Sequence, residues 1–140
     1  VNEIRAFAES TRIVMEEGLT ERFARHRRTA RAVRKGLSAL GLTFFTREEY
    51  LADTLTVVWL PEGVEDGAFR RTLFEQGVVV AGGLAQTAGR VFRMGHMGNL
   101  SSAQVLFALE ATERTLTLLG AEVPHGAAVR AARDELGASR

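Results

Sequence analysis

The chain has 140 residues, 46% hydrophobic and 25% charged, the balance of one ordinary globular domain with a single core. It contains no cysteine, which excludes disulfides, thiolate-ligated metal and a cysteine nucleophile, and points to the cytoplasm. The formal net charge of +1 hides a crowd of cations, Arg22, Arg25, Arg27, Arg28, Arg31, Arg34 and Lys35, in one short stretch.

No segment reaches the apolar length of a membrane span, and the first residues mix Glu3, Arg5, Glu9 and Arg12 with apolar positions, unlike a signal peptide. Val1 is not an initiator methionine, and the chain enters a helical pattern without a capping residue, which suggests a piece of a longer protein. Ile4, Phe7, Ala8, Val14 and Met15 predict a first helix that Gly18 interrupts. From Leu19, apolar or weakly polar positions at Phe23, His26, Ala30, Val33, Leu37 and Leu40 build the stripe of a second, longer helix, which Gly41 stops. The cations lie on this helix. They read either as a nucleic-acid surface or as a solvated helix face, and the second is favoured because no aromatic residues interleave with them.

Leu42 to Phe45 and Leu55 to Leu60 carry the β-branched and aromatic residues of paired strands, and Pro61 with Gly63 ends the second. A helix follows over Glu65 to Gln76, closed by Gly77, and the apolar run Val78 to Ala81 predicts a strand buried on both faces. After a Gly82-Gly83 turn, Val91 to Met97 reads as another strand. Ser101 and Gln104 form a capping-box pattern for a helix with Val105, Leu109, Thr112, Leu116 and Leu119 inward, and an alanine-rich helix closes the chain over Ala127 to Leu136. This order predicts an α+β fold, a small mixed or antiparallel sheet with helices mainly on one face.

The strand Val91-Phe92-Arg93-Met94-Gly95-His96-Met97 places one arginine among apolar residues, and such a residue needs a partner. Period-two alternation puts Arg93 on a face with Gly95, which offers no side chain to obstruct a ligand, so the guanidinium fork could grip a carboxylate in two hydrogen bonds. The alternative is an internal carboxylate, such as Glu75 or Asp53, or an edge position. Gly82, Gly83 and Gly89 flank the region but make no dinucleotide fingerprint, since the turn leads to a strand. His96 falls on the opposite face, which suits packing better than proton transfer. His26, His96 and His125 are too widely spaced for a metal motif.

Several motifs in order resemble class V aminotransferases, and most closely the alanine-glyoxylate and serine-glyoxylate (serine-pyruvate) group. They are Glu17-Gly18-Leu19, Arg25-His26-Arg27-Arg28, Val80-Ala81-Gly82-Gly83-Leu84, Ala88-Gly89-Arg90-Val91-Phe92-Arg93-Met94-Gly95-His96-Met97-Gly98 and Val123-Pro124-His125-Gly126. The resemblance covers nearly the whole chain. It implies the C-terminal small domain of a fold-type I pyridoxal-phosphate enzyme, with residues 1–18 a helix linking to a large cofactor domain and residues 19–140 the small domain. It further implies that Arg93 binds the substrate α-carboxylate, with Gly82, Gly83 and Gly95 lining the site. The complete enzyme would be a homodimer acting on small amino acids and 2-keto acids. The lysine that bonds to the cofactor and most phosphate contacts would lie in the large domain, so this chain alone is expected to bind no cofactor, to hold no catalytic residue and to be inactive. Its one lysine, Lys35, falls on the arginine-rich helix, where a surface role is expected. Two other classes stay open: a non-catalytic regulatory module that senses an amino acid through Arg93, and a nucleic-acid-binding domain using Arg22 to Lys35.

Overall fold

In the computed structural model, which describes residues 1–137, five α-helices and three strands follow one another as α1 (Asn2–Glu17), α2 (Leu19–Ala39), β1 (Leu55–Trp59), α3 (Asp66–Glu75), β2 (Ala81–Gly82), β3 (Val91–Gly95), α4 (Ser102–Leu118) and α5 (Ala127–Gly137). The strands form one antiparallel sheet in the order β1-β3-β2. The expected α+β class and sheet type hold.

Local chemistry sets the helix ends. After α2, Gly41 takes φ 79°, its N–H bonds to the Ser38 carbonyl and the Leu42 N–H to that of Leu37. That pair of bonds satisfies carbonyls the helix leaves free, and the left-handed backbone favours glycine. Gly77 and Gly120 close α3 and α4 with the same two bonds. At the start of α4, Ser101 Oγ accepts the Gln104 N–H and Gln104 Oε1 accepts the Ser101 N–H, the reciprocal box the spacing predicts.

Burial alternates along β1 and, after the fully buried Val91, along β3. Thr56, Val58, Phe92, Met94 and His96 are buried, whereas Leu55, Val57, Trp59 and Arg93 are half-exposed and Gly95 is exposed. The buried side packs against Val33 and Leu37 of α2, Phe69 and Leu73 of α3, Leu109 and Leu116 of α4, and Ala128 and Ala132 of α5. Phe69 and Phe92 stack with ring centroids 4.7 Å apart. Each such large apolar side chain contributes about 1.5–3 kcal/mol relative to exposure, so the helix-covered side carries the stability of the domain.

Two strand expectations need correction. Leu42 to Phe45 is not a full strand: Phe44 alone bridges to Val58, with the Phe45 N–H bonded to the Val57 carbonyl and the Trp59 N–H to that of Thr43. The chain then turns into a short helical turn at Glu48–Tyr50, which leaves no length for a ladder. Val78 to Ala81 is not buried on both faces; Val79 is 78% exposed, and the ladder with β3 begins only at Ala81. The cause is the α3 cap, which spends the Val78 N–H on the Leu73 carbonyl and ties the segment to the helix. The α2 stripe also differs at one end, because Phe23 is exposed while Thr29, Ala32 and Gly36 are buried.

Helix α1 has no buried residue. Its junction with α2 is Gly18, at φ 82° and ψ 139°, a conformation that breaks the helix and that only glycine adopts without strain. Glu17 bridges the junction, accepting from Arg25 Nε at 2.5 Å and Arg22 Nη1 at 2.8 Å. These guanidinium groups hold its carboxyl down at about 2. Residues 138–140, the end of the expected small domain, lie outside the described residues.

Candidate functional site

The antiparallel register gathers the candidate residues on the side of the sheet that the helices leave open. Leu55 stands opposite Gly95, Val57 opposite Arg93 and Trp59 opposite Val91, while Ala81 of β2 meets Arg93 from the other side. Directly opposed residues of antiparallel strands share a face, so Arg93 rises from the middle of a shallow apolar floor. Trp59 is braced by Phe45, at 5.5 Å between ring centroids, and by the Arg90 guanidinium, 5.0 Å above its ring.

Arg93 sits on the central strand rather than at an edge. Its Nε–H donates to the Gly82 carbonyl oxygen at 2.8 Å. Among the described residues no carboxylate pairs with it and its two terminal nitrogens have no hydrogen-bond partner. The internal partners considered from sequence are not used. Asp53 pairs instead with Arg27 at 3.5 Å and Arg34 at 3.9 Å, and Glu75 makes no ion pair among the described residues. An arginine bonded only through Nε keeps an outward fork of two parallel N–H donors, the geometry that matches a carboxylate.

The three glycines play different parts. A Cβ on Gly83 would come within 2.0 Å of the Thr87 carbonyl oxygen, so the loop after β2 closes only around glycine. A Cβ on Gly82 would stand 3.2 Å from both Arg70 Nε and Asp66 Oδ2. A Cβ on Gly95 would meet nothing within 4 Å, so packing inside this chain does not explain the glycine beside Arg93. Ala85, in the same loop, holds φ 48°, a conformation unusual for a residue with a side chain.

His96 lies on the helix-covered side, as alternation predicts, and its Nε2 is 2.9 Å from Thr56 Oγ1. Burial, reinforced by the Arg34 charge, pushes its pKa down to about 4, so the ring is neutral at ordinary pH. His26 pins the loop after β3 to α2: Nδ1 contacts the Arg22 carbonyl at 2.7 Å and Nε2 accepts the Gly98 N–H at 3.0 Å. These two bonds assign the proton to Nδ1. Among the described residues no group of three His, Asp or Glu side chains comes together as a metal site.

Lys35 is ion-paired with Glu135 at 2.5 Å, on the α2–α5 side of the molecule. The lysine is thereby engaged by an acid of α5 and is not one of the open-face residues around Arg93. Six of the seven cations of the run share three acids: Arg22 and Arg25 bind Glu17, Arg27 and Arg34 lie beside Asp53, and Arg31 joins Lys35 on Glu135. No described helix is long and apolar enough to cross a membrane.

No protein-family model matches the chain. It is 44% identical over 112 residues to an aminotransferase of Methanocaldococcus jannaschii, covering 79% of this chain and 29% of that one. The (S)-ureidoglycine–glyoxylate transaminase of Bacillus subtilis is 35% identical over 131 residues, 92% of this chain and 32% of the relative. The serine–glyoxylate aminotransferase of Arabidopsis thaliana is 36% identical over 122 residues, 86% of this chain and 30% of the relative. Among solved structures, the ureidoglycine-glyoxylate aminotransferase of Bacillus subtilis superposes with a TM-score of 0.87 at 34% identity over 90% of this chain and 33% of that one. An alanine–glyoxylate aminotransferase from Nostoc gives a TM-score of 0.72 at 36% identity over 75% of this chain and 28% of that one.

By sequence and by fold, then, the chain has the C-terminal domain of an aminotransferase. Within that class it belongs with the class V enzymes whose members include serine-, alanine- and ureidoglycine-glyoxylate aminotransferases. It spans about a third of the length of the relatives it matches.

Proposed function

We propose that this chain is the substrate-carboxylate-binding domain of a pyridoxal-phosphate-dependent aminotransferase that moves an amino group from a small amino acid, serine or alanine, to a 2-keto acid, glyoxylate or pyruvate. The observation that carries the reading is the outward, unpaired fork of Arg93 on the open face of the sheet. Donor and acceptor differ at the carbon that exchanges the amino group, but both carry an α-carboxylate. One guanidinium held rigid on a central strand therefore serves both half-reactions, and it places the reacting carbon without moving a proton itself. The names of the relatives supply the substrate class.

The cofactor, and the lysine that would bond to it, belong in this reading to a large domain of the same polypeptide. When bound, the cofactor serves as the electron sink for amino transfer. Helix α1, with no buried residue, is the connection to that domain, and the complete enzyme is a cytoplasmic homodimer whose contacts lie mainly outside this chain. The test is Arg93→Ala in the complete enzyme. The catalytic efficiency should fall for amino acid and keto acid alike, while the slow reaction of an amine lacking a carboxylate stays unchanged. Equal efficiencies for the two proteins would refute the assignment.

A further inference from the structure

Strand β2 is two residues long, and its ladder with β3 ends at Gly82. The Gly82 carbonyl oxygen accepts the Arg93 Nε–H at 2.8 Å. That carbonyl belongs to the planar peptide joining Gly82 to Gly83, so its direction depends on the backbone of both residues. Beyond the ladder, Thr87 fixes that backbone. Its Oγ1 accepts the Leu84 N–H at 3.1 Å and donates to the Leu84 carbonyl oxygen at 2.7 Å, and its own N–H donates to the same oxygen at 3.0 Å. Its carbonyl oxygen accepts the Arg90 N–H at 3.0 Å and lies so close over Gly83 that an added Cβ would stand 2.0 Å away. Inside this closed loop Ala85 holds φ 48°, a conformation that a residue with a side chain keeps only where its surroundings impose it.

We infer that Thr87 is a positioning residue for the substrate-carboxylate site: its hydroxyl locks the loop after β2, the locked loop aims the Gly82 carbonyl, and that carbonyl holds Arg93 by Nε. This rests on the reading of Arg93 as the carboxylate anchor. With Nε held, the guanidinium is oriented before a ligand arrives, and its terminal nitrogens are the pair left to grip. Without the hydroxyl, two of the three bonds at Leu84 are lost in a stretch where Leu84, Ala85 and Gln86 are all exposed, and Ala85 is free to relax. The arginine then turns about its side-chain bonds, and a carboxylate must order it on binding. Because the bound carboxylate itself restores the orientation, the loss falls on binding rather than on turnover.

In the complete enzyme, Thr87→Val removes the hydroxyl at nearly constant shape. KM for the amino acid and the keto acid should rise together by about fivefold, the weight of one neutral hydrogen bond, with turnover at saturation and the rate with a carboxylate-free amine unchanged. Thr87→Ser, which keeps the hydroxyl, should stay within about twofold of the parent. Gly83→Ala, which forces the Thr87 carbonyl away from the other side of the loop, should raise the same KM values independently. The decisive comparison is made on Arg93→Lys, whose ammonium has no Nε for Gly82 to hold: there Thr87→Val should change KM by less than about twofold. A hydroxyl that serves only the fold predicts the same factor in both backgrounds. Equal factors, a serine variant as impaired as the valine one, or an unchanged KM in Thr87→Val beside a damaged Arg93→Ala overturns the inference and leaves Arg93 as the anchor. An undamaged Arg93→Ala overturns both.

Discussion

Thr56 Oγ1 and His96 Nε2 meet at 2.9 Å on the covered side of the sheet, joining β1 to the residue just beyond β3. His96 is only 2% exposed, and burial pushes its pKa down to about 4. In the unfolded chain the ring takes a proton below about pH 6.5. Between those values the unfolded state binds more protons than the folded one, so stability rises with pH. The contribution of His96 should be complete above about pH 6.5, decline as pH falls toward about 4 and level off below that. Urea midpoints of the parent and His96→Asn, compared near neutrality and near pH 5, should show a flatter pH dependence in the variant. Parallel slopes would contradict the assignment.

Replacing Arg93 by lysine separates charge from shape. An ammonium keeps the attraction for a carboxylate but loses the planar pair of donors and the Nε bond to Gly82. In the complete enzyme, Arg93→Ala should cost about 2–5 kcal/mol in kcat/KM, and Arg93→Lys should recover only part of it. Full recovery would mean that charge alone suffices.

Lys35 offers a control on cofactor chemistry. It is paired with Glu135 on the α2–α5 side and is not among the open-face residues around Arg93. Mixed with pyridoxal phosphate, the 140-residue chain should form no stoichiometric, borohydride-reducible adduct, and it should not transaminate. A stoichiometric adduct abolished by Lys35→Ala would count against this account.

Gly36 sits where three helices pack closely. A Cβ there would meet Leu109 Cδ1 at 2.6 Å and the Ala128 carbonyl oxygen at 3.1 Å, where α2 crosses both α4 and α5. The leucine can turn aside, but the backbone carbonyl can do so only by moving α5. Gly36→Ala should therefore destabilise the domain by about 1–3 kcal/mol, despite alanine's better helix propensity. Thermal melts decide this, and an unchanged or raised midpoint would show that α5 yields freely.

The sequence made helix limits legible because glycine caps and the Ser101-Gln104 box act within a few residues. The orientation of Arg93 was legible for the same reason: alternation along β3 is a local property, and a lone arginine among apolar residues stands out. What lay hidden depends on contacts between distant segments. Val78 to Ala81 reads alike whether it runs in a ladder or hangs from a helix cap, and only the Leu73 bond to Val78 decides. Asp66 and Arg70 stand one helical turn apart, a spacing that says nothing of Gly82 lying against them or of the Gly82 carbonyl reaching Arg93.

The late start of the β2 ladder has a consequence for handling the domain. From Gly77 to Leu84 the chain carries no charge and no proline, and its valines have high strand propensity. With Val79 exposed and pairing to β3 delayed until Ala81, this stretch is a sheet margin without gatekeepers, open to strand addition by another copy. A lysine at position 79 would guard that margin during expression, at a point where the side chain already faces water.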